Sequence, residues 1–385
     1  MVDITGLNKP IYDHSLDPQE KTLDQFKQCA SCDFVDAAAL MPDAHVGYVA
    51  PVGAVLKSTE YLVPAWVGYD IGCGVTAAKI DVDKVTVERN ADALYNAVKD
   101  NIPMGKGKHN RYQDVSKQAE EAYNRILDAF LRRPYHNNIK AFFEGSAIRH
   151  IGSLGSGNHF IEIDYDDENN AWVVVHSGSR GVGYKVAKRY MERSAGTNKK
   201  YEATHPIHED SDLGEEYRNI LDFGLSFASE NRLEMVRKVA RSLESVLGRN
   251  VDWDVWTNKN HNHAVQENGY YVHRKGATPA KEGERGVIPA NMRDGSYLVV
   301  GKGAEHFLES SSHGAGRTMS RTGAKDTISI DDFKETMRGV VGWVDEQTLD
   351  EAPQAYKDIN EVLAAQQDSI DVKKHLRPLI NWKGG

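Results

Sequence analysis

The sequence predicts an α+β protein: a single large domain of two packed mixed or antiparallel sheets with helices on the outside. Three observations predict it. The strand-like runs are short and rich in β-branched residues. Amphipathic helical patterns fall between several of them, but without the regular strand–helix alternation of a doubly wound sheet. No repeat, low-complexity tract or linker interrupts the 385 residues. A chain of that length buries enough core to need no staples, so residues 1–385 are expected to form one domain.

In chain order, GAVLKS near 53–58 and GVTAAKIDV at 74–82 read as strands. Helical periodicity follows at about 84–100 and 115–132, then two strands, FIEIDY at 160–165 and AWVVVHS at 171–177. The longest helical pattern covers 215–247, where Ile220, Leu221, Leu225, Phe227, Leu233, Val236 and Val239 make roughly one apolar stripe. YYVHRK at 270–275 and SYLVVGK at 296–302 read as strands, and 353–366 as a last helix.

Composition narrows the function. Lys plus Arg is 47 and Asp plus Glu is 56, a net charge of −9. A globally basic surface is excluded, so any nucleic acid must be held by a local patch. No apolar run approaches the about 18 residues that span a bilayer, and the opening MVDITGLNKPIYDHSL lacks the apolar stretch of a signal peptide. Three cysteines make no disulfide framework and suit a reducing cytoplasm. Membrane, secreted and disordered classes are set aside, and a cytoplasmic protein is expected.

Glycine is the informative residue. Of 33, many stand beside His, Cys or Asp in MPDAHVG (41–47), GYDIGCG (68–74), GSLGSGNHF (152–160), HSGSRGVG (176–183) and SSSHGAGR (310–317). Any one of these fits a tight turn. Five of them, each carrying a ligand or nucleophile, point to a site where the backbone approaches a phosphate or metal closely. The metal-ligand inventory within and near them is Asp70, Cys73, His159, His176 and His261. One thiolate, one carboxylate and three imidazoles suit a borderline divalent ion such as Zn²⁺, Mn²⁺ or Co²⁺. Each alone fits a core residue better than a ligand, and they are too far apart for zinc-finger spacing. Only the fold can bring them together.

Other features divide. Cys29 and Cys32 of CASC have no second pair and lie in a polar, helical stretch, which reads as structural. His273, Arg274 and Lys275, with Lys281 and Arg285 following, form a basic segment suited to phosphates or to a solvated loop. Arg180, Arg317 and Arg321 follow Gly–Ser turns, an arrangement more typical of anion binding than of solubility. His313, after three serines and before Gly-Ala-Gly-Arg317, stands in an open turn. It fits a nucleophile toward phosphorus, a sixth metal ligand or a general base.

Taken together, MPDAHVGYVAPVGAV, VGYDIGCGV, GSLGSGNHFIEI, VHSGSRGVG, HNHA, HRKGATPA, SSSHGAGRTMSR and the closing AYKDINEV…LRPLINWKG resemble the RtcB family of RNA-splicing ligases, in order from about residue 40 onward. The resemblance implies an enzyme that joins RNA ending in a 3′-phosphate or 2′,3′-cyclic phosphate to a 5′-hydroxyl end, in tRNA splicing or RNA repair. It implies GTP and two Mn²⁺ ions as cofactors. His313 would become the guanylylated histidine, with Arg317, Arg180 and Asn262 around the phosphates. Asp70, Cys73, His159, His176 and His261 would hold the metals, Cys73 bridging them. Asn158, Glu162, Asn291, Ser296, Gly314, Ala315, Gly316, Tyr356 and Lys383 would contact the guanylate. RNA ends and GTP are the expected partners, with an activating protein as a further one and a monomer as the expected state. Pro289-Ala290-Asn291-Met292 departs from the family's Pro-Gly-Ser-Met, so Asn291 takes a serine's place and Ala290 a glycine's. Gly385 extends the usual Lys-Gly end. A phosphoesterase needs no guanine pocket or covalent histidine, and a degenerate RNA-binding scaffold needs no ligand set. Both readings are weaker.

Overall fold

The computed structural model describes residues 8–384, so Gly385 and the first seven residues, the start of the opening segment read above, lie outside it. The architecture is α+β. A five-stranded sheet runs in the order Ile11–Asp13, Val35–His45, Val52–Ser58, Tyr270–Lys275, Asn262–Glu267. Its first pair is parallel and the rest antiparallel. The larger sheet runs Arg285–Pro289, Ser296–Gly301, Ile370–Lys383, Phe160–Tyr165, Asn170–Ser177, Gly74–Asp83, Trp253–Asn260, with Val341–Gly342 added alongside Ile370–Lys383. It curls into a nearly closed barrel. At the seam, Thr257 Oγ1 donates to Arg285 O (3.0 Å) and Trp256 Nε1 to Gly286 O (3.3 Å). Val75, Ala77, Phe160, Trp172, Val174, Val287, Leu298 and Leu376 pack together as its apolar lining.

The predicted strands stand where the sequence puts them, within a residue or two. The predicted helix at 84–100 is two helices, Lys84–Arg89 and Ala91–Asn101, because Asn90 leaves the helical region between them. Lys117–Leu131 follows a Ser116 side-chain cap. Asp212–Leu247, 36 residues long, starts at the Ser211 cap and stops at left-handed Gly248. It is broader than one apolar stripe: Asn219, Asn231, Arg232, Glu234 and Lys238 are buried on it as well. Of 353–366, only Ile359–Ala364 is α-helical, because Tyr356 is extended and bridges to Arg317.

Sequence reasoning misses Val35–His45, whose AAALMPDAH looks nothing like an alternating strand, since it is buried almost throughout. It also misses Ile370–Lys383, a polar run with a central proline. Pro378 is accommodated there because the register shifts beside it. No helix among the described residues is long and apolar enough to cross a membrane. Cys29, Cys32 and Cys73 are all free, and burial pushes the Cys29 thiol upward, as suits a packed, unreactive group.

Candidate metal centre and nucleotide pocket

Register gathers the ligands. Phe160 and Val75 both pair with His176, and Gly74 pairs with Asn260. The neighbours Cys73, His159 and His261 therefore meet His176 at one end of the barrel. Two triads result, Asp70–Cys73–His159 and Cys73–His176–His261, each with its ligand atoms within 4.8 Å of one another and both containing the same sulfur. Cys73 Sγ is 3.3 Å from His176 Nε2 and 3.5 Å from His159 Nε2; His176 and His261 present Nε2 to Nε2 at 3.3 Å. All but Asp70 are buried.

The donor set fits a cation. His159 Nδ1 donates to Leu154 O (3.0 Å) and His176 Nδ1 to Asn158 O (3.1 Å). With the proton on Nδ1, each ring's Nε2 lone pair turns inward, toward Asp70 and the sulfur or toward another imidazole. Lone pairs facing a carboxylate at 2.9 Å repel it unless a positive charge lies between. Burial pushes the Cys73 thiol up and the His176 and His261 imidazoles down, which keeps the bare cluster short of positive charge. A divalent ion reverses that cost for the thiolate. Glycine permits the approach: Gly72 sits at φ +73°, and a Cβ at Gly178 would lie 2.2 Å from Asp70 Oδ1.

His313 stands beside the second triad, its ring 4.7 Å from that of His261. Its Nδ1 is 2.6 Å from Asp43 Oδ2, which also accepts from the His313 and Gly314 backbone N–H groups. Burial alone would raise the Asp43 carboxyl, but His313 outweighs it and holds the group below its ordinary value. The carboxylate therefore fixes the tautomer, with the proton on Nδ1 and the lone pair on Nε2. Gly316, at φ +77°, lets the loop lie on the Asp43 backbone, where a Cβ would come within 2.2 Å of its carbonyl oxygen.

A cavity of about 600 Å³ opens beside His313 and His176. Asn158, Glu162, Asn291, Gly314, Ala315, Gly316, Arg317, Tyr356 and Lys383 line it. A family model described as "tRNA-splicing ligase RtcB" matches residues 25–384.

The chain belongs to the RtcB family. It is 33% identical over 369 residues to RNA-splicing ligase RtcB1 of an Escherichia coli strain, covering 90% of each chain. It is 32% identical to RNA-splicing ligase RtcB of E. coli K12 over the same span, again 90% of each. Against tRNA-splicing ligase RtcB of Nanoarchaeum equitans it is 30% identical, covering 95% of this chain and 92% of the other.

Not every residue expected from the RtcB resemblance reaches the cavity. Ser296 is not among the residues that line it and is fully buried with its hydroxyl unpartnered. Asn291 reaches the lining but spends its side chain on its own turn: Oδ1 accepts from Arg293 N and Asp294 N, and Nδ2 donates to Asp294. The positive φ in that turn falls on Gly295, at +71°, and Ala290 needs none, so the Ala290–Asn291 departure leaves the turn intact. Asn262 braces the metal loop, with Nδ2 donating to Asp70 O (3.2 Å) and Oδ1 accepting from Gly276 N (2.8 Å). Arg180 lies over Gly155, where a Cβ would be 1.9 Å from its Nη1, and its Nε is buried and unpartnered.

Of the two readings of the basic segment, phosphate patch or solvated loop, residues 273–275 fit neither, because all three side chains are spent on the protein itself. Arg274 is fully buried and paired with Glu267 at 2.6 Å, His273 accepts from Val63 N, and Lys275 donates to Val67 O.

Three residues escape sequence reasoning. Asp43 is one. Glu351 is another: buried, it receives Lys383 (3.1 Å), Arg321 (2.5 Å) and the Tyr356 hydroxyl (2.7 Å). Burial would raise its carboxyl, but Lys383 and Arg321 hold it down at about 2. Arg232 is the third. From the long helix it donates to Gly72 O and Ser177 O (both 2.9 Å) and to Asn260 Oδ1 (2.8 Å), tying together three segments that carry metal ligands. Acidic or basic residues in mid-chain give no signal of such partners. Inside the barrel, burial raises Glu162 to about 7 against the pull of Lys383, and Asn381 donates to it at 2.6 Å. Burial and Glu162 together push Asp164, whose carboxyl oxygens have no hydrogen-bond partner, well above its ordinary value.

Proposed function

We propose that the protein is a GTP- and Mn²⁺-dependent RNA ligase that joins 3′-phosphate or 2′,3′-cyclic phosphate ends to 5′-hydroxyl ends through a histidine–GMP intermediate at His313. The observation that carries this reading is an imidazole pinned at Nδ1 by a buried carboxylate, with Nε2 free beside two thiol-sharing triads. In this reading His313 Nε2 attacks the α-phosphorus of GTP, the bond to pyrophosphate breaks, and GMP remains on the ring. Asp43 holds the ring and balances its positive charge. An oxygen of the RNA 3′-phosphate then displaces His313, giving RNA(3′)pp(5′)G. The 5′-hydroxyl attacks the 3′-phosphorus, loses its proton and expels GMP. A cyclic phosphate is opened by water in the same site beforehand. Asp70, Cys73, His159, His176 and His261 would hold the ions, whose chemistry is to polarise phosphate oxygens and neutralise developing charge. Glu162, as the carboxylate, would accept from guanine N1–H and N2–H, with Asn158, Tyr356, Lys383 and the Gly314–Gly316 turn around the rest of the nucleotide. Arg317 and Arg180 would face phosphates.

The same reading takes GTP and RNA ends as partners, a monomer as the working unit and the cytoplasm as the compartment, to which three free thiols are suited. The test is incubation with α-labelled GTP and Mn²⁺. Label is expected on the protein, labile to acid and stable to alkali, and absent in His313→Ala. Unlabelled wild type, or a labelled variant, removes the mechanism.

A further inference from the structure

Just outside the metal triads three tyrosine rings follow one another. Tyr48 meets Tyr69 edge-on at 5.8 Å and 87°, and Tyr69 stacks on Tyr184 at 5.0 Å and 22°. Tyr48 is 73% exposed and Tyr184 52%. These are not rings on loose loops. Gln25 Nε2 donates to Gly47 O (2.9 Å) and Tyr48 O (3.0 Å), and Gly47 N donates back to Gln25 Oε1. Tyr184 stands in the helix Arg180–Ala195. The Tyr69 hydroxyl donates to the Glu202 carboxylate and lies 3.4 Å from that of Tyr201. Holding aromatic faces rigidly in water leaves apolar area uncovered, which marks a surface that meets something.

Position and charge say what it meets. Tyr69 directly precedes Asp70, and Tyr48 lines the cavity that holds His313. Arg180 is one helical turn before Tyr184; Lys185 follows Tyr184, exposed with its ammonium over the Phe142 ring (3.7 Å), and the exposed Lys199 and Lys200 directly precede Tyr201. This cationic rim stands in a chain of net charge −9. Flat rings with cations beside them, reaching a phosphate-handling centre, match an unpaired strand, whose bases each offer a π face and whose backbone is anionic.

We infer that Tyr48, Tyr69 and Tyr184 form a stacking platform for unpaired bases of the RNA strand adjoining the end to be joined. The inference rests on the reading of the site as an RNA-joining centre. Base contact of this kind is independent of sequence, so the platform accepts any end that is single-stranded for a few nucleotides and disfavours one paired to its terminus.

The test measures binding of a single-stranded RNA decamer with a 3′-phosphate to the full chain with Mn²⁺, by fluorescence anisotropy. Tyr184→Ala is expected to weaken binding about 5- to 100-fold, and Tyr184→Trp to keep it. Replacing the last three bases by abasic sites should weaken wild type and change Tyr184→Ala little. Unchanged affinity in Tyr184→Ala overturns the proposal and turns the ladder toward a protein partner. Wild type that binds the abasic strand as tightly also overturns it, and that comparison stands alone if the alanine variant fails to fold. Labelling of His313 by GTP without RNA reports the guanylylation reading separately, so failure there and failure of base-dependent binding are told apart.

Discussion

Asp43 Oδ2 and His313 Nδ1, 2.6 Å apart, come from opposite ends of the chain. Asp43→Asn keeps the shape but presents a neutral amide, so the reacting tautomer is no longer enforced. The rate of His313 guanylylation in a single turnover is expected to fall about 10²- to 10⁴-fold with the fold intact. An unchanged rate would leave Asp43 merely structural. Glu162 supplies a pH dependence. Its carboxyl titrates at about 7, raised from an ordinary 4.5. In the proposed pocket it would accept guanine's two N–H groups only when ionised, so GTP affinity should weaken as pH falls below about 7, by at most about tenfold per pH unit. The stability sign is opposite. A raised acid binds its proton more tightly when folded, so its contribution is present below the ordinary value and lost as pH rises through about 7. Glu162→Gln should flatten both profiles, measured as GTP binding and thermal unfolding between pH 5.5 and 8.5; a pH slope that persists in the variant assigns it elsewhere. The ligand types were legible at this scale because thiol and imidazole are scarce and chemically marked. Asp43 and Glu351 were not, since carboxylates are common and only distant partners distinguish these two.

Among the elements, Asp212–Leu247 does more than its apolar stripe suggests. Arg232 makes four hydrogen bonds to backbone and amide oxygens of Gly72, Ser177, Asn258 and Asn260, and burial lowers it to about 10. Arg232→Leu orphans these buried acceptors and should cost about 3–5 kcal/mol, each being worth about 1–3 kcal/mol unpaired, without full additivity. Lys cannot span the same oxygens and should restore little. Thermal unfolding together with metal titration reads both effects; a variant of wild-type stability that binds metal normally would deny Arg232 this role. The six predicted strands were legible because burial on one or both faces gives short apolar runs. Ile370–Lys383 was hidden because charged residues on its exposed half and a proline at its bulge break the pattern.

Over the whole molecule, the site is a product of register. Strands far apart in sequence lie side by side, and the residues at their ends meet. The class of fold was readable from the spacing of the runs, but convergence was not, because nothing local records which strand is whose neighbour. If both triads share the Cys73 sulfur, Cys73→Ala should lose both ions at once. Adding Mn²⁺ at about a hundred times its Kd to chelator-stripped wild type should stabilise the fold by about 2.7 kcal/mol for each ion bound, seen as a rise in Tm, and leave the Cys73→Ala melting curve where it was. A full rise in the variant would show that the sulfur bridges nothing.

Order of synthesis also matters here. Ile370–Lys383 lies between Phe160–Tyr165 and Ser296–Gly301 and carries Lys383 into the cavity. A ribosome that has made only the first 369 residues holds a pair of strands and a set of four that can meet at the Trp256–Gly286 seam but lack the strand between their other edges. A polypeptide that stops short of this strand therefore lacks both Lys383 and the strand between those two neighbours, and in the proposed reading such a truncated or stalled product cannot seat a nucleotide.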